Sequence, residues 1–384
     1  MSKSKIIAAV EIGAAKTVVL VGEMKGECCL SIIGHSERAS QGVKKGEIID
    51  FKGACEPAHA ALQEAEKAMG IAINGVYLAQ TGQHLQGFLS KGQVTVSAPN
   101  GIVSQKDVVR AVDEAKRKEL AEGRVYIQRL PLGIFLDGNA VEDPFNLPGE
   151  QLEVAYWHIH ADENKVRPPI HVINGFSLEV EKLIVSSLAS ACMALDEAEC
   201  KHGVLLLDIG AGVTDYTVYR DNSVVLTGTV PIGGDHLTND LSLGLRVSVE
   251  RAEAIKCYSI DHHSNGSFPR EAVSAIIGAR VDELLSIVKK SLSAAAPNLV
   301  LAGGVVLTGG GARLQGLKEA TEKFFETSVR LSDFSGKVTD ELNHPEYSTV
   351  LGLLYYGMRA ERAKYETQSK KNWWSKVSTM FQIN

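Results

Sequence analysis

Two stretches of the chain share one pattern of apolar and polar positions. Residues 6–23, IIAAVEIGAAKTVVLVGE, are an apolar run, an acidic residue, a glycine turn and a second apolar run; residues 204–220, VLLLDIGAGVTDYTVYR, repeat the arrangement. Laid over each other, they place Glu11 on Asp208, Ile12 on Ile209 and Gly13 on Gly210. Apolar runs joined by so tight a turn predict antiparallel strand pairs, and their recurrence in register predicts one supersecondary unit used twice. A third run, VVLTGGGARLQGL at 305–317, predicts a buried strand, three successive glycines and then a helix.

The C-terminal stretch has a different period. On a helix, Met380, Trp373, Val377, Phe381 and Trp374 fall within an arc of about 120°, with Ser375, Thr379 and Gln382 on the other side. Lys376 borders the stripe, where its stem can cover apolar surface while the ammonium reaches water or lipid phosphate. The preceding segment, residues 359–369, shows no apolar face and reads as a tether. From Arg359 onward, six basic residues stand against two acidic ones on a chain whose net charge is -6. Paired tryptophans on a locally basic amphipathic helix predict an interfacial membrane anchor over 370–384.

Composition narrows the remainder. A hydrophobic share of 45% and a charged share of 22% are those of an ordinary globular protein with room for two lobes. The acidic balance argues against nucleic acid as a partner. Six scattered cysteines form no CxxC pair and no zinc spacing, which fits a reducing compartment. The apolar run at the N-terminus leads straight into a glycine turn and lacks the plan of a signal peptide.

The glycine turns carry the candidate chemistry. Glycines at 13, 210 and 212 let backbone N–H groups approach a polyphosphate, with Ala14, Ala15 and Ala211 in the same turns. Glu11 and Asp208, at strand ends, are placed to hold the waters of a Mg²⁺ that travels with the phosphates. Lys16 and Thr214 add a charge and a hydroxyl within reach, and Gly309, Gly310 and Gly311 suit close approach of a ring or sugar. No GxxxxGK[ST] occurs, and Asp215 stands where a dinucleotide fingerprint needs its third glycine.

Two such hairpins followed by TGGGA resemble the nucleotide site of the actin, Hsp70 and sugar-kinase superfamily. With VPIGGDHLTNDLSLGLRVSVERAEAIK at 230–256, PEYSTVLGLLYYG at 345–357 and FNLPGEQLEVAYWHI at 145–159, the chain resembles FtsA, the bacterial actin homologue of cell division. The resemblance implies an α/β, actin-like bilobed fold of two RNase H-like domains. It implies ATP and Mg²⁺ as ligands, with the phosphates between Glu11–Lys16 and Asp208–Asp215 and the nucleoside between Gly309–Gly311, Gly234 and the helix carrying Glu253 and Lys256. Asp208 would serve Mg²⁺ and water if ATP is hydrolysed, at most weakly.

The implied organisation is a first-lobe core of residues 1–84 with 163–195 and 345–358, and a second-lobe core of 196–235 with 296–344. A small insert lobe over 85–162 would have a helix capped by Ser104 and Asp107. The helix linking the lobes would run from Ser177, and a second link would start after Pro345. A second-lobe insert over 236–295 would receive the C-terminal peptide of FtsZ, the tubulin homologue; within it His262 and His263 are adjacent and diverge, so they form no metal pair. Self-association into filaments and later division proteins at the first-lobe insert complete the implied partners, on the cytoplasmic face of the inner membrane at the septum. The alternatives are a pilus-assembly adaptor of the same fold and a weak actin-like ATPase with another membrane partner.

Overall fold

The computed structural model describes residues 5–25, 29–258 and 269–369. The tail stripe at 370–384, with Trp373, Trp374, Lys376, Val377, Met380 and Phe381, and the pair His262 and His263 lie outside the described residues.

The first repeat opens a three-stranded meander: β1 (Lys5–Ile12), β2 (Lys16–Lys25) and β3 (Cys29–Ala39). A short hairpin, β4 (Val43–Lys44) and β5 (Glu47–Ile48), leads into α1 (Phe51–Met69), which Asp50 caps by accepting from Gly53 N. Strand β6 (Gly75–Gln80) then returns parallel to β1.

There the chain leaves the sheet to build the insert: β7 (Gln86–Thr95), α2 (Gln105–Lys116), β8 (Arg124–Leu136), β9 (Asn139–Val141) and β10 (Gln151–Asp162). These strands pair in the order β7-β10-β8-β9. Helix α2 lies on β7 at Gly92, where a Cβ would stand 2.0 Å from the Ala111 carbonyl oxygen. Its N-terminus carries the expected cap, since Asp107 accepts from both Ser104 N (2.9 Å) and Ser104 Oγ (2.6 Å). Helix α3 (Glu163–Asn174) and strand β11 (Glu179–Val185), parallel to β6, close the first sheet in the order β11-β6-β1-β2-β3.

After α4 (Ser186–Ala194) and α5 (Glu197–His202), the second repeat builds β12 (Val204–Ile209), β13 (Thr214–Arg220) and β14 (Ser223–Val230). Three helices follow, α6 (Gly234–Leu245), α7 (Val249–Tyr258) and α8 (Arg270–Ala295). Then come β15 (Gly304–Thr308), a 3₁₀ turn over Gly310–Arg313, α9 (Leu317–Phe325) and β16 (Val329–Leu331). The second sheet therefore has the plan of the first, β16-β15-β12-β13-β14. Every residue of β12 and β15 is buried, as central parallel strands covered on both faces must be.

A 3₁₀ turn at Pro345–Tyr347 starts α10 (Ser348–Ser369), which packs across α4. The crossing is close: a Cβ on Gly352 would stand 1.8 Å from the Ala189 carbonyl oxygen, so only glycine fits.

Two expectations are corrected. The link expected as a helix from Ser177 is strand from Glu179 to Val185 and helix only from Ser186, because EVEKLIV satisfies the open edge of β6. The tether expected over 359–369 continues α10 to Ser369: it is rich in Ala, Glu, Lys and Arg and has no glycine or proline to stop a helix. Among the described residues no helix is long and apolar enough to cross a membrane.

Candidate functional site

The two repeated turns close in the same way. Gly13 N donates to the Lys16 carbonyl at 3.0 Å and Gly210 N to the Val213 carbonyl at 2.9 Å, while the strand registers pair Ile12 with Thr17 and Ile209 with Thr214. The tips meet face to face. A Cβ on Gly212 would stand 3.1 Å from that of Ala14 and 2.9 Å from Lys45 N, so glycine lets the second turn approach the first lobe.

Between the tips lies a cleft of about 590 Å³. Glu11, Gly13, Ala14, Ala15, Lys16, Asp208, Gly210, Ala211, Gly212, Asp215, Gly234, Glu253, Lys256, Gly309, Gly310 and Gly311 all line it. Thr214 does not: its hydroxyl, expected at the phosphates, is fully buried and donates to the Ile232 carbonyl at 2.8 Å. The strand register explains this, because Thr214 occupies the position of buried Thr17 in the first repeat.

The three glycines differ in their surroundings. Gly309 has φ +80°, and a Cβ there would meet Asp208 Oδ1 at 2.4 Å; one on Gly311 would meet Ile209 Cγ2 at 2.4 Å. Both serve the packing of the turn onto β12. Only Gly310 has its open side toward the cleft, the nearest atom to its Cβ position being Glu346 Cβ at 3.9 Å.

Three carboxylates converge on the cleft floor. Asp208 Oδ2 accepts from Ser190 Oγ and from Thr349 Oγ1 (3.1 Å), hydroxyls on the crossing helices α4 and α10. Asp215 accepts from Thr81 Oγ1 and Thr229 Oγ1, both at 2.5 Å. Glu11 is half-buried, and its Oε2 is buried with no hydrogen-bond partner among the described residues. Burial raises all three: Glu11 to about 8, with the charge of Asp208 adding to the effect, Asp215 to about 7, and Asp208 in the same direction.

Opposite them, Lys16 Nζ is 2.8 Å from both Glu37 Oε2 and Glu346 Oε1. Burial would lower its pKa, but those hydrogen bonds outweigh burial and raise it above the ordinary lysine range. On the far wall, Lys256 Nζ donates to Glu253 Oε2 (2.7 Å), Thr238 Oγ1 (2.9 Å) and the Gly234 carbonyl (3.2 Å), fastening α7 to α6.

A magnesium nucleotide suits this donor set. Backbone turns and Lys16 face the side where phosphate charge would lie, and the clustered carboxylates, one oxygen of them unpartnered, suit the hydration shell of a divalent cation. Among the described residues no three His, Cys, Asp or Glu are grouped to ligate a metal directly. Thr81, Ser190, Thr349, Glu37, Glu346 and Arg313 escaped the sequence reading. Of these, Arg313 stands in VVLTGGGARLQGL and Glu346 and Thr349 in PEYSTVLGLL, two stretches that the sequence itself sets apart.

Comparison with known proteins adds independent findings. A family model described as cell division protein FtsA matches residues 205–352, and one described as the SHS2 domain inserted in FTSA matches residues 82–160. Cell division protein FtsA of Pseudomonas aeruginosa is 29% identical over 94% of this chain and 91% of its own length. Its namesake in Escherichia coli is 29% identical over 98% of this chain and 97% of its own. That of Bacillus subtilis is 28% identical over 94% and 86%.

Among solved structures, the PilM-PilN type IV pilus biogenesis complex has a chain that superposes with a TM-score of 0.66 at 19% identity, covering 92% of this chain and 98% of that one. MreB5 of Spiroplasma citri bound to ADP gives 0.55 at 12%, covering 94% and 98%. At such identities these two likenesses show the actin-like fold alone, whereas the three relatives above share one family name.

Proposed function

The chain belongs to the FtsA family of actin-like cell-division proteins, and from that premise we propose that it binds ATP with Mg²⁺, polymerises on the cytoplasmic face of the inner membrane and ties FtsZ filaments to the septum there. The observation that carries the nucleotide part is the convergence of both hairpin turns and the tri-glycine turn on one cleft floored by Glu11, Asp208 and Asp215. Bound Mg²⁺ would supply the positive charge that these carboxylates and the phosphates share.

The chain's own residues then divide the work. The turns at Gly13–Lys16 and Gly210–Gly212 present backbone donors to the phosphates, and Lys16 offers a cation beside the first turn. Asp208, held by two hydroxyls, orients the water nearest the cation if hydrolysis occurs. Gly310 leaves room for the nucleoside, and the fastened pair Glu253 and Lys256 forms its outer wall.

Residues 236–295 are the docking place for the FtsZ C-terminal peptide in this reading, residues 85–162 receive later division proteins, and residues 370–384 meet lipid. The test is binding of a fluorescent FtsZ C-terminal peptide to the full chain. Saturable binding that competes with unlabelled peptide supports the tether; none at high protein concentration would favour the pilus-type adaptor.

A further inference from the structure

Resting on the nucleotide reading, we propose that Glu346 is a counter-ion that competes with nucleotide phosphates for Lys16, and so sets how tightly the cleft holds phosphate as distinct from nucleoside. Glu346 is the middle residue of the Pro345–Tyr347 turn before α10. Its Oε1 takes the Lys16 ammonium at 2.8 Å, and its Oε2 lies 3.6 Å from Arg313 Nη1. One side chain thereby joins the phosphate turn of the first lobe to the tri-glycine turn of the second.

The backbone keeps Glu346 in this position. Gly309 N and Thr308 Oγ1 both donate to the Pro345 carbonyl, at 3.0 and 3.2 Å, so the turn is pinned to the end of β15. On its other side, Tyr347 lies under the Lys16 ammonium, 4.2 Å from ring centroid to nitrogen, and its hydroxyl donates to Glu37 at 3.1 Å. Glu346 therefore cannot withdraw with its backbone; only its side chain can yield.

Competition follows from charge. Lys16 and Arg313 face Glu37 and Glu346, two cations against two anions, and the group is balanced as it stands. A phosphate oxygen approaching Lys16 meets an ammonium with two of its three donors committed to carboxylates, and it meets the negative charge of Glu346, which also lines the cleft. Glu37 does not line the cleft. Turning toward Arg313 allows Glu346 to exchange a first-lobe partner for a second-lobe one, which links phosphate occupancy to the contact between lobes.

The experiment titrates the full chain calorimetrically with Mg·ATP and, separately, with adenosine, comparing wild type, Glu346→Gln and Glu346→Asp. The expected result is ATP binding about tenfold tighter in Glu346→Gln, about 1.4 kcal/mol, with adenosine unchanged and Glu346→Asp close to wild type because it keeps the charge. ATP affinity that is unchanged or weaker in Glu346→Gln would show that the carboxylate positions Lys16 for phosphate and would overturn the proposal. An equal shift for adenosine would overturn it too, placing the effect in the nucleoside pocket. Wild type binding neither ligand would instead sink the nucleotide reading, a failure visible before any variant is compared, and the proposal would fall with it.

Discussion

Thr81 Oγ1 donates a 2.5 Å hydrogen bond to Asp215 Oδ2 across the cleft. Thr81 directly follows the last residue of β6 in the first lobe, and Asp215 lies in β13 of the second. The bond joins the carboxyl end of β6 to the start of β13, where Asp215 pairs with Asp208 near the end of β12.

Replacing Thr81 by Val keeps the shape and removes that donor from a buried carboxylate. A hydrogen bond to a charged group of this kind is worth about 2 kcal/mol. Urea unfolding at pH 8 should show Thr81→Val less stable by about that amount, and Asp215 should titrate higher still, because the lost bond lowers its pKa in the wild type.

The raised carboxylates predict a pH dependence with a definite sign. Asp215 ordinarily titrates near 3.8 but is held up to about 7, so the folded chain keeps a proton that the unfolded chain has released. Its contribution to stability is full below about pH 4 and is lost as pH rises through about 7. Glu11, raised from 4.5 to about 8, acts in the same direction. In EDTA, the urea midpoint should fall between pH 5 and pH 8, and Asp215→Asn should remove about 2 kcal/mol of that fall; added Mg²⁺ should flatten it as well.

Gly309 and Gly310 should respond oppositely to substitution. Gly310→Val places its side chain in the open cleft, so the melting curve should change little while binding of a fluorescent ATP analogue drops at least tenfold, about 1.4 kcal/mol. Gly309→Ala meets Asp208 at a positive φ and should lose about 2 kcal/mol or more of folding stability. Equal loss of stability in both would remove Gly310 from the cleft wall.

Residues 370–384 should account for lipid attachment. Removing them, or replacing Trp373 and Trp374 by Ala, should abolish sedimentation with vesicles of anionic lipid. If the chain polymerises as proposed, attachment should rise steeply with its concentration, since one short apolar segment binds weakly and an array binds by the product of many such contacts.

Much of the fold was legible because the deciding residues are neighbours in the chain. The apolar runs on either side of Glu11–Gly13 and Asp208–Gly210 specify two hairpins without reference to anything distant, and Ser104 with Asp107 specifies a helix start. The segment 179–185 was misread for the opposite reason. Its seven residues read equally well as helix or strand, and only the unpaired edge of β6 selects strand.

The same division runs through the site. Which side chains bear phosphate-type chemistry follows from local pattern: glycines where backbone must come close, an acid at each strand end, a lysine after the first turn. Who holds them does not. Lys16 meets Glu346 across 330 positions, Asp215 meets Thr81 across 134, and Asp208 meets Thr349 across 141. Those pairings exist because two like sheets and the crossing of α4 with α10 at Ala189 and Gly352 bring their ends together. Periodicity encodes which face of an element is buried, while the partner that satisfies a buried charge is chosen by sheet order and helix crossing, which no short stretch of chain contains.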